Sequence, residues 1–155
     1  MIWEELKESL ILTELSAKSY EDVMHKLGWA LVKEGYAKES YIDALISREK
    51  NFPTGIDVNG VGIAIPHTDV SHVNKTGIAI GVLNEPVTFF QMGTDDETVE
   101  VQLVFMIAVA NPNNHIEQLQ RIVTIIQDKD VLNQLIKVRD KNEIIKIIRE
   151  KENEI

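Results

Sequence analysis

The sequence predicts an α/β fold: a mixed β-sheet flanked by helices on both faces, a three-layer sandwich in a single domain. Three observations predict it. Segments with helical period open and close the chain, extended segments fill its middle, and one of these, Val99 to Val109, is almost continuously apolar. A strand that is apolar on both sides needs cover on both faces, and helices lying before and after the strands can supply it. The length of 155 residues suits one domain with one sizeable core, taken here as residues 1–155.

The first third reads as helical. Ser19-Tyr20-Glu21-Asp22 resembles a capping box, with a serine hydroxyl placed to accept from a free amide three residues on. Val23, Leu27, Ala30 and Leu31 follow at helical spacing, and Gly35 supplies the C-terminal stop. A second capping pattern, Ser40-Tyr41-Ile42-Asp43, opens a shorter helix with Ile42, Leu45 and Ile46 on one side and Arg48 in its last turn.

Asn59-Gly60 is a tight-turn signal between extended segments. Val61 to Ile65 reads as a strand that Pro66 ends by removing a ladder donor. Thr76 to Leu83, Val87 to Phe90 and Val99 to Val109 read as three further strands. In the last third, Asn113 is the expected cap of a helix carrying Ile116, Leu119, Ile122, Val123 and Ile126. Val131, Leu132, Leu135 and Ile136 mark a second, and Asp140-Lys141-Asn142-Glu143 opens a third. The charged end, Glu150 to Glu154, has the composition of a disordered tail.

Charge and composition narrow the function. Apolar residues at 44% and charged residues at 26% are ordinary for a globular protein. A net charge of −9 repels phosphate backbones, which argues against nucleic-acid binding. There is no cysteine, so disulfides, thiol catalysis and thiolate metal sites are excluded. The opening Met1-Ile2-Trp3-Glu4-Glu5 lacks the layout of a signal peptide. The apolar run Leu103 to Ala110 is far shorter than the ~20 residues that span a bilayer. The expectation is a cytoplasmic protein with no direct membrane insertion.

Four histidines carry the possible chemistry: His25, His67, His72 and His115. His25 falls within an amphipathic helix and reads as a surface residue. His67 directly follows a strand and a proline, at the sheet edge where α/β proteins commonly place function. A neutral imidazole there can attack phosphorus through one ring nitrogen while a backbone carbonyl holds the other. A structural histidine capping the strand end is the competing reading. His115 falls in the first turn of a helix, where free amides and the dipole favour an anion. Arg48 offers a two-point fork for the same oxygens. His72 and Asp69 lie in the loop after His67 and stay ambiguous. His67, Asp69, His72 and His115 are the residue types of a zinc site, but they lack the i, i+4 spacing of a helical His pair. No metal or organic cofactor is expected.

Two stretches carry a resemblance. Arg48-Glu49-Lys50-Asn51-Phe52-Pro53-Thr54-Gly55-Ile56 and Gly62-Ile63-Ala64-Ile65-Pro66-His67-Thr68-Asp69 resemble the signature of phosphotransferase-system enzyme IIA domains of the fructose–mannitol family. The similarity continues through Val99 to Val109 and Asn113 to Leu119, and the segment at Phe52 is most similar to the galactitol-type branch. The resemblance implies a phosphoryl carrier of sugar or sugar-alcohol import. The histidine matching His67 would accept a phosphoryl group from the phosphocarrier protein HPr and pass it to a cysteine of enzyme IIB, which serves the membrane component IIC. The residues matching Arg48 and His115 would assist. The resemblance also leaves open a regulatory module whose phosphorylation state controls a partner protein.

Overall fold

The computed structural model describes every residue except Asp95, and the side chain of every residue except Asp95 and Asn114. Among the described residues, five strands form one sheet in the order β1-β4-β5-β3-β2. They are β1 (Ile11–Leu15), β2 (Gly55–Val58), β3 (Val61–Ala64), β4 (Gly77–Phe90) and β5 (Thr98–Ala108). The pairs β2/β3 and β4/β5 are antiparallel, while β1/β4 and β3/β5 are parallel, so the sheet is mixed. The helices are α1 (Tyr20–Lys33), α2 (Tyr41–Asn51), α3 (His115–Gln127), α4 (Lys129–Lys137) and α5 (Lys141–Glu154).

The pleat sorts the core into the two expected layers. On one face Ala79, Leu83, Val104, Met106 and Ala108 meet Val23, Met24, Leu27 and Leu31 of α1 and Tyr41 and Leu45 of α2. On the other, Ile78, Ile80, Leu103, Phe105 and Ile107 meet Ile122, Ile125 and Ile126 of α3, Leu132 and Leu135 of α4, and Ile144 and Ile148 of α5. Consecutive β5 residues therefore serve opposite layers, which is why that strand reads as an unbroken apolar run. No helix among the described residues is long and apolar enough to cross a membrane.

Local signals explain most boundaries. Ser19 Oγ accepts from Asp22 N at 3.2 Å, as the capping pattern predicts. Gly35, at φ +81°, lets the chain turn out of α1, with Tyr36 N donating to Leu31 O at 2.9 Å. Asn59 and Gly60, at φ 53° and 86°, make the turn that pairs Val58 with Val61.

Five expectations need correction. Residues 11–15, inside the stretch read as helical, form edge strand β1 beside β4, where the Ile11↔Ile80 pairing gives the backbone a partner no local signal announces. The two strands predicted at Thr76–Leu83 and Val87–Phe90 are one, β4, whose pairing with β5 shifts register between Val82 and Val87. Ser40 does not cap α2; its hydroxyl meets His72 Nδ1 at 2.8 Å instead. Asn113, the expected cap of α3, lies inside a 3-10 turn over Pro112–Asn114 that precedes the helix, and that turn is capped by Asn111, whose Oδ1 accepts from Asn113 N at 3.0 Å. The charged end is helical, because Glu152 is buried and accepts from Ile2 N at 3.0 Å and Trp3 N at 2.7 Å. The Arg121 guanidinium stands 3.6 Å from the same carboxylate.

Candidate functional site

Three chain ends converge on one place: the end of α2, the extension of β3 and the start of α3. Beyond Ala64 the chain keeps its course along β5, with Ile107 N donating to Pro66 O at 2.9 Å and His67 bridged to Ile107. Tyr41 of α2, fully buried, donates its hydroxyl to Ile107 O at 2.6 Å. The backbone before His67 is thus fixed to β5, which α2 grips from the other side.

The His67 ring is fixed as well. Its Nδ1 lies 2.8 Å from Ile65 O. A carbonyl can only accept, so the proton of the neutral ring is on Nδ1 and the lone pair is on Nε2. Burial depresses the His67 pKa from 6.5 to about 4; the Ile65 carbonyl opposes this, and the charges of His115 and Arg48 reinforce it. His67 is therefore a neutral base at physiological pH.

His115, the first residue of α3, packs edge-on against His67 with ring centroids 4.5 Å apart. Burial, then Arg48, lowers its pKa too. Arg48 comes from the last turn of α2, and its guanidinium carbon lies 5.1 Å from the centroid of the Phe52 ring. Its Nε is buried with no hydrogen-bond partner among the described residues. All three side chains line one cleft of about 250 Å³ with Thr68, Asp69, Val70 and Pro112. Arg48 and His67 also line an adjoining cleft of about 410 Å³ walled by Phe52, Pro53, Thr54, Met92 and Leu119. The three residues singled out in the sequence are brought together, which no spacing along the chain could establish.

The ambiguous residues separate. Asp69 reaches the His67 cleft, but its carboxylate accepts from Ser71 N and Oγ. His72 lies in another cleft, between α2 and the loop after His67, and its ring is taken up by Ser40. Among the described residues no three His, Asp or Glu side chains gather as a metal site, so the zinc set weighed on residue type is not assembled. His25 is exposed on α1.

Sequence reasoning missed part of the wall. Ile116, one of the apolar positions expected on this helix, is 67% exposed, and with the half-buried Leu119 and Val123 it lines a shallow apolar surface on α3. Phe52 and Met92, 62% and 47% exposed, add to the apolar rim. The signal for α3 was present: its apolar positions cover more of the helix than one buried face needs.

A neutral histidine, a guanidinium and a helix-start histidine around one cleft define a class: an α/β protein that holds a fixed, uncharged imidazole beside a guanidinium at the edge of its sheet. The chain matches, over residues 4–151, the family described as the phosphoenolpyruvate-dependent sugar phosphotransferase system, EIIA 2. It is 32% identical over 115 residues to the galactitol-specific EIIA component of Escherichia coli K12, covering 74% of this chain and 76% of that one. It is 32% identical over 156 residues to the fructose-specific EIIABC component of Bacillus subtilis, covering 96% of this chain but only 23% of that longer protein. Among solved structures, the complex of enzyme IIA-mannitol and phosphorylated enzyme IIB-mannitol from Escherichia coli matches with a TM-score of 0.78 and 28% identity, over 93% of this chain and 96% of that one. The chain therefore belongs to the type 2 EIIA family, whose domains are phosphoryl carriers of sugar phosphotransferase systems.

Proposed function

We propose that residues 1–155 act as one cytoplasmic EIIA domain in which Nε2 of His67 takes a phosphoryl group from phospho-HPr and yields it to a cysteine of an enzyme IIB. The observation that carries this is the hydrogen bond from Nδ1 to Ile65 O, which leaves Nε2 as the free lone pair in a cleft shared with Arg48 and His115.

The chemistry follows from that arrangement. The Nε2 lone pair forms the new P–N bond as the P–N bond to the donor's imidazole breaks, and the donor ring keeps that electron pair. Charge on the three phosphoryl oxygens is met by the Arg48 fork and by His115 at the start of α3. Once Nε2 is phosphorylated, the Nδ1 proton still held by Ile65 O leaves the ring cationic. A cationic ring is a good leaving group, so an incoming thiolate can take the phosphoryl group on. The apolar rim of Phe52, Met92, Ile116 and Leu119 supplies a docking surface around this centre for HPr and IIB in turn.

The test is phosphorylation by enzyme I, HPr and phosphoenolpyruvate, followed by intact mass at alkaline pH. His67→Ala should gain no phosphate mass while remaining folded, and the wild-type adduct should be acid-labile and base-stable. Single-turnover transfer should slow ~10²–10³-fold in Arg48→Ala and in His115→Ala, the usual cost of one preorganised donor. A phosphorylated His67→Ala protein refutes the acceptor; wild-type rates for His115→Ala reduce the site to His67 and Arg48.

A further inference from the structure

Glu49 is a buried carboxylate that the transfer chemistry leaves unused. It follows Arg48 in the last turn of α2 and is 2% exposed. Burial raises its pKa, and two bonds from Thr54 oppose that. Glu49 Oε2 accepts from Thr54 N at 2.7 Å, and Oε1 accepts from Thr54 Oγ1 at 2.9 Å. Thr54 is itself buried. An isolated buried carboxylate is costly, so its placement here has to be understood from what the two bonds hold.

They hold the turn that leaves α2. Phe52 N donates to Arg48 O at 2.7 Å, and the Phe52 ring faces the Arg48 guanidinium. On the far side of Thr54, Gly55 O accepts from Met92 N at 2.7 Å. Thr54 is thus pinned from both directions, and Phe52 is held against Arg48. There is a second consequence. Arg48 makes no ion pair among the described residues, although a carboxylate is its chain neighbour. That carboxylate is turned inward and engaged by Thr54.

We propose that Glu49 and Thr54 are positioning residues for Arg48: their buried pair fixes the turn that sets Phe52 against the guanidinium, and it keeps the Glu49 carboxylate from competing with the phosphoryl group for the fork. This rests on the role given to Arg48 above.

The experiment is a double-mutant cycle in single-turnover transfer from isolated phospho-HPr. Thr54→Val, Thr54→Ser and Glu49→Gln are each measured with Arg48 intact and in an Arg48→Ala background, with melting temperatures taken throughout. With Arg48 present, Thr54→Val and Glu49→Gln slow transfer about tenfold, since small misplacements of a catalytic group have effects of this size or larger. Thr54→Ser, which keeps the hydroxyl, restores most of the rate. In the Arg48→Ala background neither substitution slows transfer further, although the melting temperature falls as much as before. A purely structural pair would instead lower the rate by the same factor in both backgrounds, and that result overturns the proposal. So does an unchanged rate for Thr54→Val with Arg48 intact, which decides the matter even if Glu49→Gln fails to fold. Wild-type transfer by Arg48→Ala alone is a different failure: it removes the role of Arg48, and the positioning proposal falls with it.

Discussion

Lowering the pH from 8 toward 4 should leave the His67 ring uncharged over most of that range. An unperturbed imidazole titrates near 6.5, so at pH 5.5 about one ring in ten would remain neutral. His67, held at about 4 chiefly by burial, keeps nearly all of its rings neutral there. Between those two values the unfolded chain takes up a proton that the folded chain refuses. Stability is therefore fully present above pH 6.5 and declines as the pH falls toward 4. Each pH unit in that window is worth at most ~1.4 kcal/mol, and solvent at the open edge of the ring reduces the sum to about 1–3 kcal/mol. Two measurements check this. In an NMR titration the His67 Cε1–H resonance should stay flat from pH 8 to 5, with Nδ1 in the protonated form and Nε2 in the bare form. In urea unfolding, wild type should lose more stability between pH 7 and 5 than His67→Gln does. The difference between the two proteins isolates this ring from every other titrating group. Arg48→Ala should raise the midpoint, because the guanidinium disfavours a second positive charge. A midpoint near 6.5, or equal pH dependence in wild type and His67→Gln, would refute the burial argument, and a bare Nδ1 would refute the tautomer read from Ile65 O.

Two further expectations follow from buried hydrogen bonds. Tyr41→Phe removes the hydroxyl that donates to Ile107 O and should cost about 1–2 kcal/mol, read by urea unfolding, because the carbonyl loses a buried donor. Since Ile107 also holds Pro66, the same variant should broaden the His67 resonances, and unchanged stability with unchanged line widths would count against the linkage. Glu152→Ala strips the acceptor from Ile2 N and Trp3 N and should cost about 1–3 kcal/mol, a fall of several degrees in melting temperature for a chain of this size. A neutral outcome would mean that the contact between the first turn and α5 contributes nothing to the folded state.

The layers were legible because burial leaves a periodic trace. Val23, Leu27 and Leu31 mark the inner face of α1, and the unbroken run in β5 announces a strand covered twice. The turn at Asn59-Gly60 was legible because few residue pairs accept two positive φ angles. What escaped was set by distant partners. Leu10, Ile11 and Leu12 form an apolar run too short to distinguish strand from helix, and only β4 decides it. Glu150 to Glu154 has a solvated composition, and a single buried carboxylate, Glu152, reverses its fate. The 3-10 turn before α3 escaped because Asn111 and Asn113 have the same capping chemistry, and Pro112 at the first position of the turn selects Asn111 as its cap. The site was half legible. The motif picked out His67 and Arg48, but their meeting with His115 depends on three elements far apart in sequence. Ile116 shows the limit of periodicity: it repeats as a core residue would, yet it faces outward beside the site.

One physical feature links the proposed nucleophile, the fate of its adduct and the need for a partner: the depth at which His67 sits. Burial withholds a proton from the ring and so keeps Nε2 nucleophilic near neutral pH. On the proposed reading, the same burial would limit the approach of water to a phosphoryl group on Nε2. It also means that a donor or acceptor must bring a surface that fits the cleft before the phosphorus can come within reach. Phe52, Met92 and Ile116 stand exposed where such a surface would land. A more open histidine would lose all three properties together: it would charge near pH 6.5, let water at its adduct, and accept partners without discrimination. The arrangement that depresses one pKa therefore accounts, on the proposed reading, for a carrier that holds its phosphoryl group until the correct protein arrives.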